Sequence, residues 1–560
     1  MAWIEQFLVK YPELALFLVI SIGYVIGQVR FGGFSLGPVT GSLFAGILVG
    51  QFAHVPVSGM AKSFLFLLFL FGIGYSVGPQ FMQALKRDGL KPVVLAVVCC
   101  VTGLLAAVAV AKLLGLDPGF AAGLTSGALT ESPAMGTATE AINALPLPEA
   151  ERARLVGHIA VADAVCYLFG AAGVIVFCST VGPKLIGIDL KAEARKVEEQ
   201  LGIGRAGGVS AWRRFELRAF RVADGSPIVG RTVAEAEAGA ARHRLFIARL
   251  RRGDSVIEPQ PGERIAAGDV IAISGPREVL IELVGARGEE IEDSVLLDIP
   301  ITSADVLLRN TALAGRRLEE AVAQPWTRGV YLRRLTRGGQ DLPISPNLAV
   351  ERGDILRIVG SEAAVARASA EIGAVIAPVK STDFVTLGLA IFLGGLAGVV
   401  IAVPIAGMKI SLSTSVGTLL AGLVVGHMRT RFPLFGRIPD EAVSLMTALG
   451  LAAFVAMTGL HAGPIFLDAI AQAGIGLLFG GMVVTMAPLL VGLYFGRYVL
   501  RMNGVLLLGA LAGAQTMTAG MAAVQDRSGS PVAVLGFTPA VPIGHILLTT
   551  WGTVIVGIMA

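Results

Sequence analysis

The chain has 560 residues, 54% of them hydrophobic and 15% charged, with a mean hydropathy of +0.73 and a net charge of +4. A soluble domain is usually about 45–50% apolar and about 25% charged, so this balance is that of a membrane protein. The aliphatic content and the missing G-X-Y period exclude collagen and disorder, and the small net charge without a zinc spacing or basic motif excludes a nucleic-acid partner.

In chain order, apolar runs of crossing length lie near 13–29, 35–51, 62–78, 90–114 and 156–179, judged against the about 20 residues that span a bilayer. Acidic Glu5 precedes the first run without a small-residue cleavage site, so a retained helix is expected there. A shorter segment at 119–143 is interrupted by Thr, Ser, Gly and Pro. The charges then concentrate: 56 of the chain's 86 charged residues fall between Lys184 and Lys380. A water-soluble insert is therefore expected between two membrane halves. The second half offers runs near 383–404, 411–427, 445–462, 474–496 and 539–559, with a short interrupted segment at 504–526. Cys99, Cys100, Cys166 and Cys178 lie in apolar runs without metal spacing and read as small buried hydrophobes.

The halves repeat one another. SLGPVTGSLFAGILVG (35–50) matches SLSTSVGTLLAGLVVG (411–426) at 8 of 16 positions. GYSVGPQF (74–81) matches GLHAGPIF (459–466), and GALTESPAM (127–135) matches GAQTMTAGM (513–521). Five crossings per half is an odd number, so the second half should insert upside down, as in transporters built from inverted repeats with paired broken segments. With the insert in the cytoplasm, Arg30, Lys86, Arg87, Lys91, Arg429, Arg431, Arg437, Arg497, Arg501 and Arg527 fall on the cytoplasmic side and both termini outside. Arg152 and Arg154 fall outside, against the rule.

The insert is doubled as well. FIARLRRGDSVIEPQPGERIAAGDVIAISG (246–275) aligns with VYLRRLTRGGQDLPISPNLAVERGDILRIVG (330–360), sharing Gly253/Gly338, Asp269/Asp354 and Gly275/Gly360 at an offset of 85. The expected organisation is a membrane half at 1–183, a charged linker at 184–205, modules at 206–291 and 292–376, and a second membrane half at 377–560. The modules resemble the RCK-C or TrkA-C ligand-binding domain of potassium-conductance regulators, without a preceding GxGxxG. The resemblance implies pairing and, for a module of this type, a small effector.

The whole order resembles the aspartate:alanine exchanger family of bacterial permeases, on GYSVGPQF, GALTESPAM with its partner GAQTMTAGM, and the module pair. The resemblance implies an antiporter of the bacterial cell membrane that exchanges an acidic amino acid or dicarboxylate for a small amino acid or related carboxylate, working as a homodimer. The fold class expected is a polytopic α-helical membrane protein, two inverted repeats of about five helices plus a broken segment each, with two small α/β modules between.

Candidate substrate-binding residues are Thr130, Glu131, Ser132 and Pro133 in the first break and Gln515, Thr516, Met517 and Thr518 in the second. Pro133 is expected to break its helix, and freed N–H groups with neutral Thr, Ser and Gln donors suit a carboxylate. Glu131 and Asp163 are ionisable groups at membrane depth, suited to an ammonium or a proton; His158 stands five residues from Asp163, off its face. His461, His545 and Asp468 read as interfacial. Gly78, Pro79, Gly463 and Pro464 read as helix-end hinges. No arginine falls mid-span to clamp a dicarboxylate. No cofactor, metal cluster, nucleophile triad or Walker loop is expected, so an enzyme is not. The competing class is a monovalent cation/proton antiporter or channel governed by its modules.

Overall fold

Lipid tolerates only backbone whose polar groups are bonded internally, so apolar sequence folds as helix. The computed structural model describes residues 2–560 apart from 32–33, 36, 85–89, 202–214, 239–244, 277–279, 281–288, 338–339, 377–380, 406–407, 412 and 433–434. Lys86, Arg87, Gly338 and the module boundary at 205–206 lie outside the described residues. Two units form: Met1–Val197 with Pro378–Ala560, and Glu198–Arg337 with Asp341–Ala377.

In the first membrane half, α1 (Ala2–Lys10) and α2 (Pro12–Gly27) meet at a bend of 107°. A short hairpin, β1 (Arg30–Phe31) with β2 (Phe34–Ser35), leads to α3 (Pro38–Phe52). Then come α4 (Gly59–Ala84), α5 (Leu90–Leu113), α6 (Pro118–Ala128), α7 (Pro133–Asn143) and α8 (Glu149–Val176). The polar helix α9 (Leu190–Leu201) follows.

The second unit holds two antiparallel five-stranded sheets. One contains β3 (Phe215–Arg221), β4 (Phe246–Arg252), β5 (Ser255–Ile257), β6 (Val270–Pro276) and β7 (Glu289–Ile291), in the order β5-β4-β6-β3-β7. The other contains β8 (Ile301–Leu308), β9 (Val330–Arg337), β10 (Gln340–Leu342), β11 (Ile355–Ser361) and β12 (Gly373–Val375), in the equivalent order β10-β9-β11-β8-β12. Each carries a short helix, α10 (Val233–Ala238) and α11 (Leu318–Val322). The shared Gly-Asp pair has a physical reason. Asp269 is buried and takes a two-pronged bond from Arg252 at 3.0 and 2.8 Å, and buried Asp354 takes the same bond from Arg337 at 2.7 and 2.8 Å. The pair locks the turn before β6 or β11 onto the end of β4 or β9.

The second membrane half has α12 (Phe384–Val400), a hairpin of β13 (Ala402–Ile405) and β14 (Met408–Ser411), α13 (Ser413–Arg431) and α14 (Asp440–Ala462). It ends in α15 (Gly476–Tyr494), α16 (Gly504–Ala514), α17 (Thr518–Ser528) and α18 (Val534–Met559). Its order of elements is that of the first half.

Among the described residues six helices are long and apolar enough to cross a membrane, three in each half, or seven counting the bent α1–α2 pair as one span. By length and apolar composition together, the ten expected crossings are not all met. The runs at 35–51, 383–404 and 411–427 became helices of 15, 17 and 19 residues, about 23–29 Å at about 1.5 Å per residue. Of the described residues in those runs the hairpins take only Ser35, residues 402–404 and Ser411.

The halves pack crosswise. α3 lies on α14 and α4 lies on α13, the equivalent pair. Small residues permit this approach: a Cβ on Gly46 would strike the Ala456 carbonyl, and one on Gly422 the Phe71 carbonyl. The hinge expectation changes here. Pro79 lies inside α4, which continues to Ala84, and Gly78 packs on the Leu423 carbonyl. Gly463 packs on the Gly50 backbone, and Gly463–Ile465 continues α14 as a single 3₁₀ turn. These glycines are contact points, which a helix end does not require.

Candidate functional site

The two short segments fold as broken helices, and each break is built alike. Asp117 caps α6 by accepting from the Phe120 amide at 2.9 Å, and Asn503 caps α16 by accepting from Val505 at 2.9 Å. α6 and α16 are made mostly of small and aliphatic residues, buried apart from Pro118 and Leu506. Each ends in a Schellman turn: Thr130 N donates to Gly127 O and Glu131 N to Ser126 O, and Thr516 N donates to Gly513 O and Met517 N to Ala512 O. The turn needs a left-handed residue. Thr130 and Thr516 supply it, with φ of +56° and +53°.

A β-branched residue is a poor choice for that conformation, where glycine is the default. The strain costs about 1–3 kcal/mol at each site. Its presence at both equivalent positions makes the threonine hydroxyls the reason for the choice. Thr130 Oγ1 donates to the Gln515 carbonyl at 2.8 Å, and Thr516 Oγ1 donates to Glu131 Oε2 at 2.8 Å. The two breaks are thereby tied together in the core. Pro133, at the first position of α7, is not what makes a break, since Ala519 holds the aligned position in α17. The Schellman turn ends the helix in both halves.

Around this pair the surroundings are matched. The last carbonyl of α6, Ala128, accepts from Thr485 Oγ1 at 2.9 Å, and the last carbonyl of α16, Ala514, accepts from Cys100 Sγ at 3.7 Å. Gly170 on α8 and Gly544 on α18 leave room for Thr130 and Thr516, whose γ-methyls lie within about 3 Å of where a Cβ would stand. All four cysteines are buried and free, as their setting in apolar runs implied.

Glu131 is 2% exposed and has three side-chain partners: Thr516, Thr549 Oγ1 at 3.0 Å and His545 Nδ1 at 3.1 Å. Gln515, also 2% exposed, is the opposite case. Among the described residues neither its amide nitrogen nor its amide oxygen has a partner. A buried donor and acceptor left unpaired are costly, and side by side they complement a ligand that both accepts and donates. Ser132 is buried, Met517 half-buried, and Thr518 exposed at the start of α17.

Asp163 does not join this cluster. Its Oδ1 accepts from Ser126 Oγ at 2.6 Å, tying α8 to α6. His158 is turned away, bonded to Asp117 at 2.7 Å and stacked on Phe120. His545 corrects the interfacial expectation: α18 begins at Val534, five residues before the apolar run, so His545 lies within the helix and beside Glu131. Thr549, one turn on, came with it. Glu140 on α7 was also passed over. It accepts from Thr414 Oγ1 at 2.7 Å and Ser415 Oγ at 2.5 Å at the start of α13, and the rule that singled out Glu131 applies to it equally. Among the described residues no three His, Cys, Asp or Glu groups gather to hold a metal.

Paired broken helices that carry polar groups into an apolar bundle are the construction of a membrane transporter. The chain belongs to the aspartate:alanine exchanger family, whose predicted permease membrane region matches residues 15–183 and 386–557, with a TrkA-C domain at 217–285. It is similar to an uncharacterized transporter of Bradyrhizobium diazoefficiens, at 64% identity over 92% of this chain and 100% of that protein. An uncharacterized transporter of Bordetella parapertussis is 39% identical over 98% of this chain and 96% of its own length. Another, from Shewanella oneidensis, is 35% identical over the whole of both.

Proposed function

We propose that the protein is a secondary antiporter that exchanges an acidic amino acid or dicarboxylate for a small amino acid. The observation that carries this is the joined pair of breaks with the unpaired Gln515 amide between them. A carboxylate would accept from the Gln515 amide nitrogen and from free N–H groups at the start of α17, and an ammonium would donate to the amide oxygen. Glu131, held by Thr516, Thr549 and His545, shapes the site from one side. Asp163, behind α6, is the group that would carry a proton or meet an ammonium.

In this proposal the halves are inverted repeats in a bacterial cell membrane, with the modules cytoplasmic and the termini outside. The breaks move with their neighbouring helices past a fixed scaffold, in an elevator manner, and the modules hold a homodimer and receive a small effector. The equivalent pairing of α3 with α14 and α4 with α13 supports the repeat.

Counterflow in proteoliposomes tests the exchange. Vesicles loaded with alanine, aspartate or succinate should accumulate labelled aspartate faster than empty ones. Uptake indifferent to the internal solute refutes exchange, and cation-dependent dye quenching without it favours a cation/proton antiporter.

A further inference from the structure

A second polar cavity lies apart from the breaks, where α4 and α8 begin and α7 ends. Its volume is about 420 Å³, within the about 300–1,000 Å³ of small-molecule sites. Lys62, Arg152, Glu140 and Glu149 stand in its wall with Phe66 and Phe454. The charges are of both signs and not spent on one another. Among the described residues Lys62 has no carboxylate within ion-pair distance, and its ammonium lies 5.2 Å over the Phe454 ring. Arg152 uses one guanidinium nitrogen on the Asn143 carbonyl at 2.8 Å, which leaves other N–H donors of its fork free.

α7 runs from the break at its start to this cavity at its end. The Phe66 ring covers Gly136, where any Cβ would collide with it, and stacks on Phe454 at 4.3 Å. The aromatic pair and Gly136 line the cavity itself, three residues along α7 from Pro133. Arg152 was also an exception to the basic-residue count that set the topology. A role in binding gives that exception a physical reason.

We propose that this cavity is an entry subsite for an α-amino acid, with Lys62 and Arg152 taking the carboxylate and Glu149 and Glu140 the ammonium. Onward passage to the break rests on the proposed exchange; binding in the cavity does not.

The test places a reporter at Ser63, an exposed residue of the cavity wall. The native cysteines are buried, so a negatively charged methanethiosulfonate reads Ser63→Cys alone in the full-length protein. Saturating alanine or aspartate should slow labelling about tenfold, and adding Lys62→Gln should remove most of that protection. Labelling equally fast with and without either amino acid overturns the subsite. Protection by succinate but by neither amino acid overturns the α-amino acid assignment. Thr516→Val should keep the protection while exchange falls. Intact exchange in native protein whose Ser63→Cys form shows no protection removes the subsite and leaves the break site standing.

Discussion

Replacing Thr516 separates the strain at the break from the bond that justifies it. Thr516→Val keeps the β-branched shape and its left-handed strain but withdraws a donor from Glu131, a carboxyl only 2% exposed. A bond withdrawn from a buried polar group costs about 1–3 kcal/mol. Thr516→Gly withdraws the same donor but relieves about 1–2 kcal/mol of left-handed strain, so it should lie near neutral. Thr516→Ser keeps the hydroxyl with less crowding and should equal or exceed the native protein. The expected order of stability is Ser, native, Gly, Val. The assay is thermal unfolding in detergent with a thiol-reactive dye, which reports exposure of the four buried cysteines. A Val variant as stable as the native protein refutes the claim that the hydroxyl holds Glu131.

Other perturbations have equally definite outcomes. Gly170→Ala and Gly544→Ala should each destabilise by about 1–3 kcal/mol through overpacking, and by similar amounts, because both press first on carbonyls at the end of a broken helix and then on its break threonine; the same dye assay measures this. Glu193 on α9 accepts from the Gly504 amide at 3.0 Å and the Asn503 side chain at 3.0 Å at the start of α16, so Glu193→Ala should cost about 1–2 kcal/mol, as for a lost helix cap. Burial alone would raise the Asp269 carboxyl, but bonds from Arg252 and the Ala266 amide outweigh it and hold it below the ordinary carboxylate range. Its stabilisation is therefore present above about pH 3.9, the unfolded value, and lost as pH falls through the lower folded one. Pepsin cleavage within 215–376 should rise over that window, and Asp269→Asn should flatten the rise.

Much of this architecture follows from local pattern. Charge density alone places the insert, and the 85-residue offset anticipates two sheets of one strand order. The alignment of GALTESPAM with GAQTMTAGM puts Thr130 opposite Thr516, two of the four described non-glycine residues with a left-handed backbone. What escapes the sequence is non-local. Nothing near Gln515 says that its amide will be buried without a partner, because that depends on packing against a segment some 385 residues away. His545 was misjudged by five residues of helix start, since Pro539 lies inside α18 and does not begin it. The early end of α12 at Val400 escaped because hydropathy reads the apolar strand from Ala402 and an apolar helix alike.

The most direct test of the joined breaks as the substrate site is Gln515→Leu, measured for labelled-substrate binding and for thermal stability in the same preparation. Leucine is close in size and removes the two orphaned polar atoms, so the empty protein should become more stable, by about 1–3 kcal/mol. Substrate affinity should fall at least about tenfold, equivalent to about 1.4 kcal/mol. Unchanged affinity in a folded Gln515→Leu protein contradicts the assignment of this site.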